Sequence, residues 1–298
     1  MIRINNITRG RFGNRILQYN NLIQISSLLH TSASCSPWEG HEFFESLVTH
    51  KESKNPQSIL TWNDILDWKS RVYIEAGDET VFYPNHTLLP KDVDFHIDDP
   101  AYCLHNVFYK VTKRDPRTFL TIKDKYKKEF KDDNIHVGIH IRGGDFITAD
   151  EGKEIHEFEF YKDSIELVKA EFGNDVHYHV CTDDPSFSTY KSTIEYLKTN
   201  NFKFDTGSVN DLYLDFATLC ECDVLILSSS TFGMCAAFIG KEDKKIIHSQ
   251  KWIQRNLQHI PWNDTKCENT RKWQISFDNF WIQLYNGGNK FYKAWEFV

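Results

Sequence analysis

The spacing of apolar residues changes along this chain of 298 residues, and each change marks an element. Ile2 to Ile7 alternates apolar and polar positions, the two-residue period of a strand. Gly10-Arg11-Phe12-Gly13-Asn14 breaks that alternation. From Arg15 to His30 the apolar residues Ile16, Leu17, Leu22, Ile23, Ile25, Leu28 and Leu29 suit a helix better than a strand. The chain therefore opens as strand, glycine turn and helix, the start of an α/β layer. Residues 34–118 are less regular, with prolines at 37, 56, 84, 90, 100 and 116, and predict a loop-rich remainder of a first domain. Thr118 to Lys131 predicts a charged amphipathic helix, and Lys131-Asp132-Asp133-Asn134 a domain boundary.

Beyond that boundary strands and helices alternate. Ile135–Ile141 predicts a strand ending at Arg142-Gly143-Gly144-Asp145. A helix over 158–172 and a strand over 176–182 follow, the strand ending at Asp183-Asp184-Pro185. Next come a helix over 186–199, a short strand around Phe202–Phe204 and a helix over 211–220. Asp223–Leu227 reads as a buried strand, Ser228–Thr231 as the cap of a helix running to Ile239, and Ile246-Ile247 as a last strand. Such alternation requires a parallel sheet with helical crossovers. Ligands of parallel sheets sit beyond the carboxyl ends of the strands. His140–Asp145, Asp183-Asp184 and Ser228–Thr231 all fall there.

Composition narrows the function classes. With 40% hydrophobic and 26% charged residues the chain is a packed globular protein. Lys plus Arg number 35 against 42 Asp plus Glu, a net charge of −7, which argues against nucleic acid as a partner but leaves room for a local anion pocket. The 8 Trp, 13 Tyr and 22 Phe serve cores first and sugar rings second. No apolar run approaches the ~18 residues of a transmembrane segment. The first ten residues lack a signal-peptide stretch, so a cytoplasmic location is expected, or the Golgi lumen if an N-terminal anchor has been removed. The 7 cysteines are odd in number and include no Cys-x-x-Cys pair, which fits a reducing compartment and signals no zinc site.

Three clusters carry chemistry. In His140-Ile141-Arg142-Gly143-Gly144-Asp145, a guanidinium fork beside two glycines suits phosphate oxygens, although a tight turn with a surface Arg–Asp pair has the same pattern. In Ser228-Ser229-Ser230-Thr231-Phe232-Gly233, hydroxyls and amides at a helix N-terminus suit a phosphate too, or serve as a plain N-cap. Asp211 and Asp215, four apart, share a helix face, where a buried carboxylate would accept the N1 and N2 hydrogens of guanine and a solvated one would do nothing. Two weaker patterns are set aside. His177-Tyr178-His179 lacks a third ligand at diagnostic spacing and reads as a structural pair. Asp92-Val93-Asp94 lies among prolines with no strong strand before it. P-loop and Gly-x-Ser-x-Gly motifs are absent from the sequence.

Taken in order, these blocks resemble the alpha-1,2-fucosyltransferase family. Arg9 through Tyr19 resembles its opening glycine-asparagine loop and Gln-Tyr helix. His140 through Asp145 resembles the His-x-Arg-Arg-x-Asp motif shared with alpha-1,6- and protein O-fucosyltransferases. Asp215–Cys220, Ser229–Gly233 and Ala236–Phe238 resemble the third block. The matched residues cover about a sixth of the chain. The family's second arginine is Gly143 here, a loss worth about 1.5–3 kcal/mol of charge-assisted bonding.

The resemblance implies a GT-B-like α/β fold, two Rossmann-like domains facing across a cleft. It divides the chain into an acceptor-side domain (1–132), a GDP-sugar domain (133–250) and a C-terminal segment crossing back (251–298). It implies transfer of L-fucose from GDP-fucose to a glycan hydroxyl, alpha-1,2 to a galactose-like residue, with inversion and no cofactor or metal. Arg142 would hold the β-phosphate, with Gly143 and Gly144 lending backbone, and His140 and Asp215 would address the guanosine. Ser230 and Thr231 would complete the phosphate cradle, and Gly13 and Asn14 would face the reacting sugar. The general base would be a carboxylate among Asp145, Asp150, Glu151 and Glu154, with Asp150 or Glu151 favoured by the related alpha-1,6 enzymes. Another nucleotide sugar, or a catalytically silent glycan- or nucleotide-binding protein, would be the alternatives.

Overall fold

A computed structural model of the chain describes residues 2–4, 7, 10–28, 32–48, 58–60, 71–76, 79–84, 95–97, 116–147, 155–208, 211–241, 244–249, 281–285 and 291–293. Among these, the residues up to Lys123 form one compact unit and those from Asp124 onward a second.

The first unit contains β1 (Ile2–Ile4), α1 (Phe12–Leu28), β2 (Ala33–Cys35), α2 (Gly40–Phe43), β3 (Ser58–Leu60), β4 (Arg71–Ala76), β5 (Glu79–Pro84) and β6 (Phe95–Ile97). Parallel pairing gives the sheet order β2-β1-β6-β3, while β4 and β5 form an antiparallel hairpin. Its core is aromatic: Phe12 packs on Trp38, Phe43 and Phe44, and the Val48 amide donates to the Tyr19 hydroxyl at 2.9 Å. α1 begins at Phe12 rather than Arg15, so Gly13 and Asn14 lie in its first turn and not in a loop. Of the strands inside 34–118, β2, β3 and β6 have three residues each, too few to show a period of two, while the six-residue strands of the β4–β5 hairpin lie in a stretch read as loop.

The expected helix over Thr118–Lys131 does not form. Two 3₁₀ turns, Pro116–Thr118 and Asp124–Tyr126, stand in its place. The backbone there pairs with another segment instead. Glu45 N–H donates to Thr121 O at 2.8 Å, and Lys123 N–H to Phe43 O at 3.0 Å. Burying Leu120 and Ile122, the latter bridged to Phe44, overrides the helical preference of a lysine-rich run.

The second unit follows the alternating pattern closely. It contains β7 (Ile135–Ile141), α3 (Phe158–Phe172), β8 (Val176–Thr182), α4 (Ser188–Thr199), β9 (Lys203–Thr206), α5 (Leu212–Glu221), β10 (Val224–Leu227), α6 (Thr231–Ile239), β11 (Lys245–Ser249), β12 (Trp281–Tyr285) and β13 (Phe291–Lys293). The sheet order is β13-β12-β11-β10-β7-β8-β9, parallel throughout except for β13. One face buries Val137, Ile139, Ile141, Tyr178, Val180 and Ile226 against Phe160, Tyr161, Ile165 and Val168 of α3 and Leu197 of α4. Each such large side chain contributes about 1.5–3 kcal/mol. On the other face Leu219 and Cys222 lie against Gly138, and Gly233 beside His140.

Lys244 is fully buried, and its ammonium donates to the carbonyls of Leu219, Cys220 and Cys222, capping the C-terminus of α5. The described cysteines are buried free thiols. No helix among the described residues is long and apolar enough to cross a membrane.

Candidate functional site

β7 has β8 on one side and β10 on the other, and register sets their carboxyl ends level: His140 pairs with Cys181 and with Leu227. Arg142–Asp145, Asp183 and Ser228–Thr231 therefore leave the sheet along one edge. In parallel sheets with both faces covered, ligands gather beyond these carboxyl ends.

Arg142 is the centre of this edge. Its guanidinium donates to Asp183 Oδ2 at 2.5 Å and to Asp145 Oδ1, and lies 4.7 Å from the centroid of the Phe146 ring. Asp183 Oδ1 accepts the Gly143 amide at 2.9 Å, so one carboxylate holds both the side chain and the backbone of the turn. The Arg142 side chain is only 11% exposed, Asp183 20% and Asp145 57%, which makes Asp183 the stronger partner and Asp145 the exchangeable one.

The two glycines of this turn have separate reasons. Gly144 has φ of +49°, a left-handed conformation that side chains resist. Gly143 is buried, and a Cβ there would come within 3.1 Å of Phe187, so the family's second arginine has no room unless Phe187 yields.

His140 faces β10. Its Nδ1 lies 2.7 Å from Ser228 Oγ, and its carbonyl accepts the Ser228 amide at 3.1 Å. Burial is the main cause that holds its pKa down to about 4, so the ring is neutral at neutral pH. Ser230 is the N-cap of α6, its Oγ accepting from Phe232 N–H at 3.3 Å, and Thr231 opens the helix. Ser229 Oγ lies 3.3 Å from His156 Nε2. The helix N-terminus adds partial positive charge near Arg142's strand end.

Asp215 and Asp211 divide the roles their spacing left open. Asp211 is the N-cap of α5, accepting from Tyr213 and Leu214 at 3.1 and 3.0 Å, so it does not share a helix face with Asp215. Asp215 is 7% exposed and accepts the Ser208 amide at 2.8 Å. Burial raises its pKa to about 6. Gly207 makes this approach possible, since a Cβ there would lie 2.6 Å from Asp215 Oδ1.

The structure thus brings together His140, Arg142, Gly143, Gly144, Asp145, Ser230 and Thr231, with Asp215 against the β8 residue Cys181. Gly13 and Asn14 belong to the first unit. Asp150, Glu151 and Glu154 lie outside the described residues, as do Asp92 and Asp94. Sequence reasoning gave Asp183 and His156 no role, and counted Ser228 among the hydroxyls at the helix N-terminus rather than as the partner of His140. Asp183 had a signal, its place at a strand end; His156 had none.

A family model, Glycosyl transferase family 11, matches residues 2–273. An alpha-1,2-colitosyltransferase of Escherichia coli is 26% identical over 161 residues, covering 48% of this chain and 54% of that protein. The O-antigen biosynthesis glycosyltransferase WbnK of Escherichia coli is 26% identical over 137 residues, covering 44% of this chain and 43% of that one. The chain spans about half the length of the curated relatives it matches. A crystal structure of POFUT1 in complex with GDP-fucose superposes with a TM-score of 0.52 at 11% identity, covering 79% of this chain and 92% of that one. At that identity the likeness is one of fold.

Proposed function

The chain belongs to glycosyl transferase family 11, and from that premise we propose that it moves L-fucose from GDP-fucose to a hydroxyl of a glycan, in an alpha-1,2 linkage and with inversion. The observation that carries the reading is the Arg142 clamp at the end of β7, set beside the capped N-terminus of α6. An anion is what such an edge attracts.

In this mechanism the donor diphosphate displaces Asp145 from the guanidinium, while Asp183 keeps its hold. Arg142 then meets the negative charge that grows on the departing GDP, and the interaction strengthens toward the transition state. Ser230 and Thr231 complete the cradle. Asp215 reads the guanine edge through its carboxylate, and His140, neutral and fixed by Ser228, lines the nucleoside side. The acceptor hydroxyl loses its proton to a carboxylate of the loop after Asp145, Asp150 or Glu151. The cationic groups are built into the chain, so turnover proceeds without a divalent ion.

The E. coli relative named for colitose supports the alpha-1,2 linkage and makes colitose the second donor sugar to examine. Incubating the chain with GDP-fucose and a β-galactoside, then measuring GDP release and the product's anomeric linkage by NMR, tests the reading. Release with GDP-fucose and an α-linked product are expected. No release with either donor, in a chain that still binds GDP, would leave a silent binding protein.

A further inference from the structure

β7 and β8 carry polar clusters at both ends. At their amino ends His136 pairs in register with His177, and Gly138 with His179, so the three imidazoles share one sheet face. The third histidine that sequence spacing did not supply comes from the neighbouring strand. Phe130, in the segment entering β7, stacks on His136 with ring centroids 3.7 Å apart and on His179 at 4.6 Å.

Each ring turns one nitrogen toward a carboxylate. His136 Nε2 lies 3.1 Å from Asp132, His177 Nε2 3.0 Å from Asp205 and His179 Nδ1 3.5 Å from Asp205. Of the opposite nitrogens, His136 Nδ1 is 2.9 Å from His179 Nε2, and His177 Nδ1 is buried without a hydrogen-bond partner. One nitrogen from each ring can be taken so that all three lie within 4.8 Å of one another.

We propose that His136, His177 and His179 bind one zinc-class transition-metal ion at the amino end of the sheet, with a water in the remaining position and Asp205 behind the rings of His177 and His179. Two nitrogens on one zinc at 2.0–2.1 Å lie about 3.3 Å apart, so modest ring rotations close the cluster. Imidazole suits Zn²⁺, Ni²⁺ or Cu²⁺, and a set with three nitrogens does not suit Mg²⁺ or Ca²⁺. A carboxylate behind the metal-bound histidine is the usual outer partner, a position Asp132 occupies for His136. His140 lies four residues further along β7, about 13 Å away at strand rise. The ion therefore braces the sheet and takes no part in sugar transfer.

The test uses the full chain, stripped with a chelator, dialysed and with accessible thiols alkylated, then titrated with ZnCl₂ by calorimetry and with Co²⁺ by visible absorption. One ion per chain, tetrahedral cobalt bands and a melting temperature raised by several degrees are expected. His177→Gln, at a half-buried ring, should weaken zinc at least about tenfold while leaving the ligand-free melting temperature within about 2 °C. His179→Ala should abolish the cobalt bands. Absence of saturable one-to-one uptake overturns the proposal, as does uptake of unchanged affinity in His177→Gln.

Discussion

The two ends of β7 and β8 use polar residues in opposite ways. At the carboxyl end the groups are charged and answer one another: Arg142 is clamped by Asp183 and Asp145, and Asp215 holds the Ser208 amide. At the amino end the buried groups are imidazoles stacked on one another and on Phe130. The same two strands thus present a charged edge fit for an exchanging anion and a neutral nest fit for a resident cation. A clamp that must release its partner needs an exposed member, and Asp145 is one. A structural ligand set needs lone pairs held in place, and burial supplies that.

The comparison breaks first at Arg142. Arg142→Ala should lower kcat/KM by about 100-fold or more, as expected for removal of a preorganised charge stabiliser. Arg142→Lys should recover little, because an ammonium cannot match the planar fork. A folded Arg142→Ala protein keeping a third of wild-type turnover would remove the phosphate assignment and with it the contrast between the ends.

Asp183→Ala should cost about 10-fold or more in kcat/KM, since a displaced catalytic group is expensive even when present. Asp183→Asn should recover part of the loss, its amide oxygen still accepting the Gly143 N–H. Equal losses in the two variants would mean that Asp183 acts by charge alone.

Asp215→Asn sharpens the difference between a group kept for ligand and one kept for stability. GDP affinity should fall about tenfold, read by calorimetry, because a base-reading acceptor is lost. The ligand-free protein should become more stable at pH 7, by on the order of 1–3 kcal/mol, since a buried carboxylate no longer has to ionise. The pH dependence has a definite sign. With its pKa raised from 3.8 to about 6, Asp215 costs stability as pH rises through that window. With its pKa lowered from 6.5 to about 4, His140 adds stability over nearly the same window. The slopes oppose in wild type. In Asp215→Asn the stability should therefore climb more steeply between pH 4 and pH 6.5, measured by urea melts across that range.

The smallest effect belongs to the amino end. His177→Gln should leave kcat/KM within about twofold at 25 °C, the range of surface and near-surface changes away from chemistry. Wild-type turnover should likewise persist through minutes in excess EDTA. A loss restored by manganese would place a metal in the reaction and erase the division between the two ends.

Much of the second unit was legible because its elements are long for their type. β7 and β8 have seven residues each, and α3 spans the 15 residues its apolar spacing predicted. The short elements were not. β2, β3 and β6 have three residues each and carry no measurable period. Residues 118–131 look helical by local charge pattern, yet their backbone finds partners at Phe43 and Glu45. At the carboxyl-end edge, Arg142 and Ser230 were legible as types at strand ends, while Asp183's double hold on Arg142 and Gly143 was not.

The sequence by itself determined the alternation of strand and helix, hence a parallel sheet, and the residue types waiting at its carboxyl edge. Those follow from local periodicity and from the rule that polar groups gather where strands end. Only the tertiary structure decided which groups meet. It separated Asp211, a helix cap, from Asp215, a buried carboxylate, although the two look alike in spacing. It set His136 beside His177, 41 residues away along the chain, through the register of β7 and β8. Register between parallel strands is fixed by which faces pack together, and with a helical crossover between β7 and β8 no short turn sets it in advance.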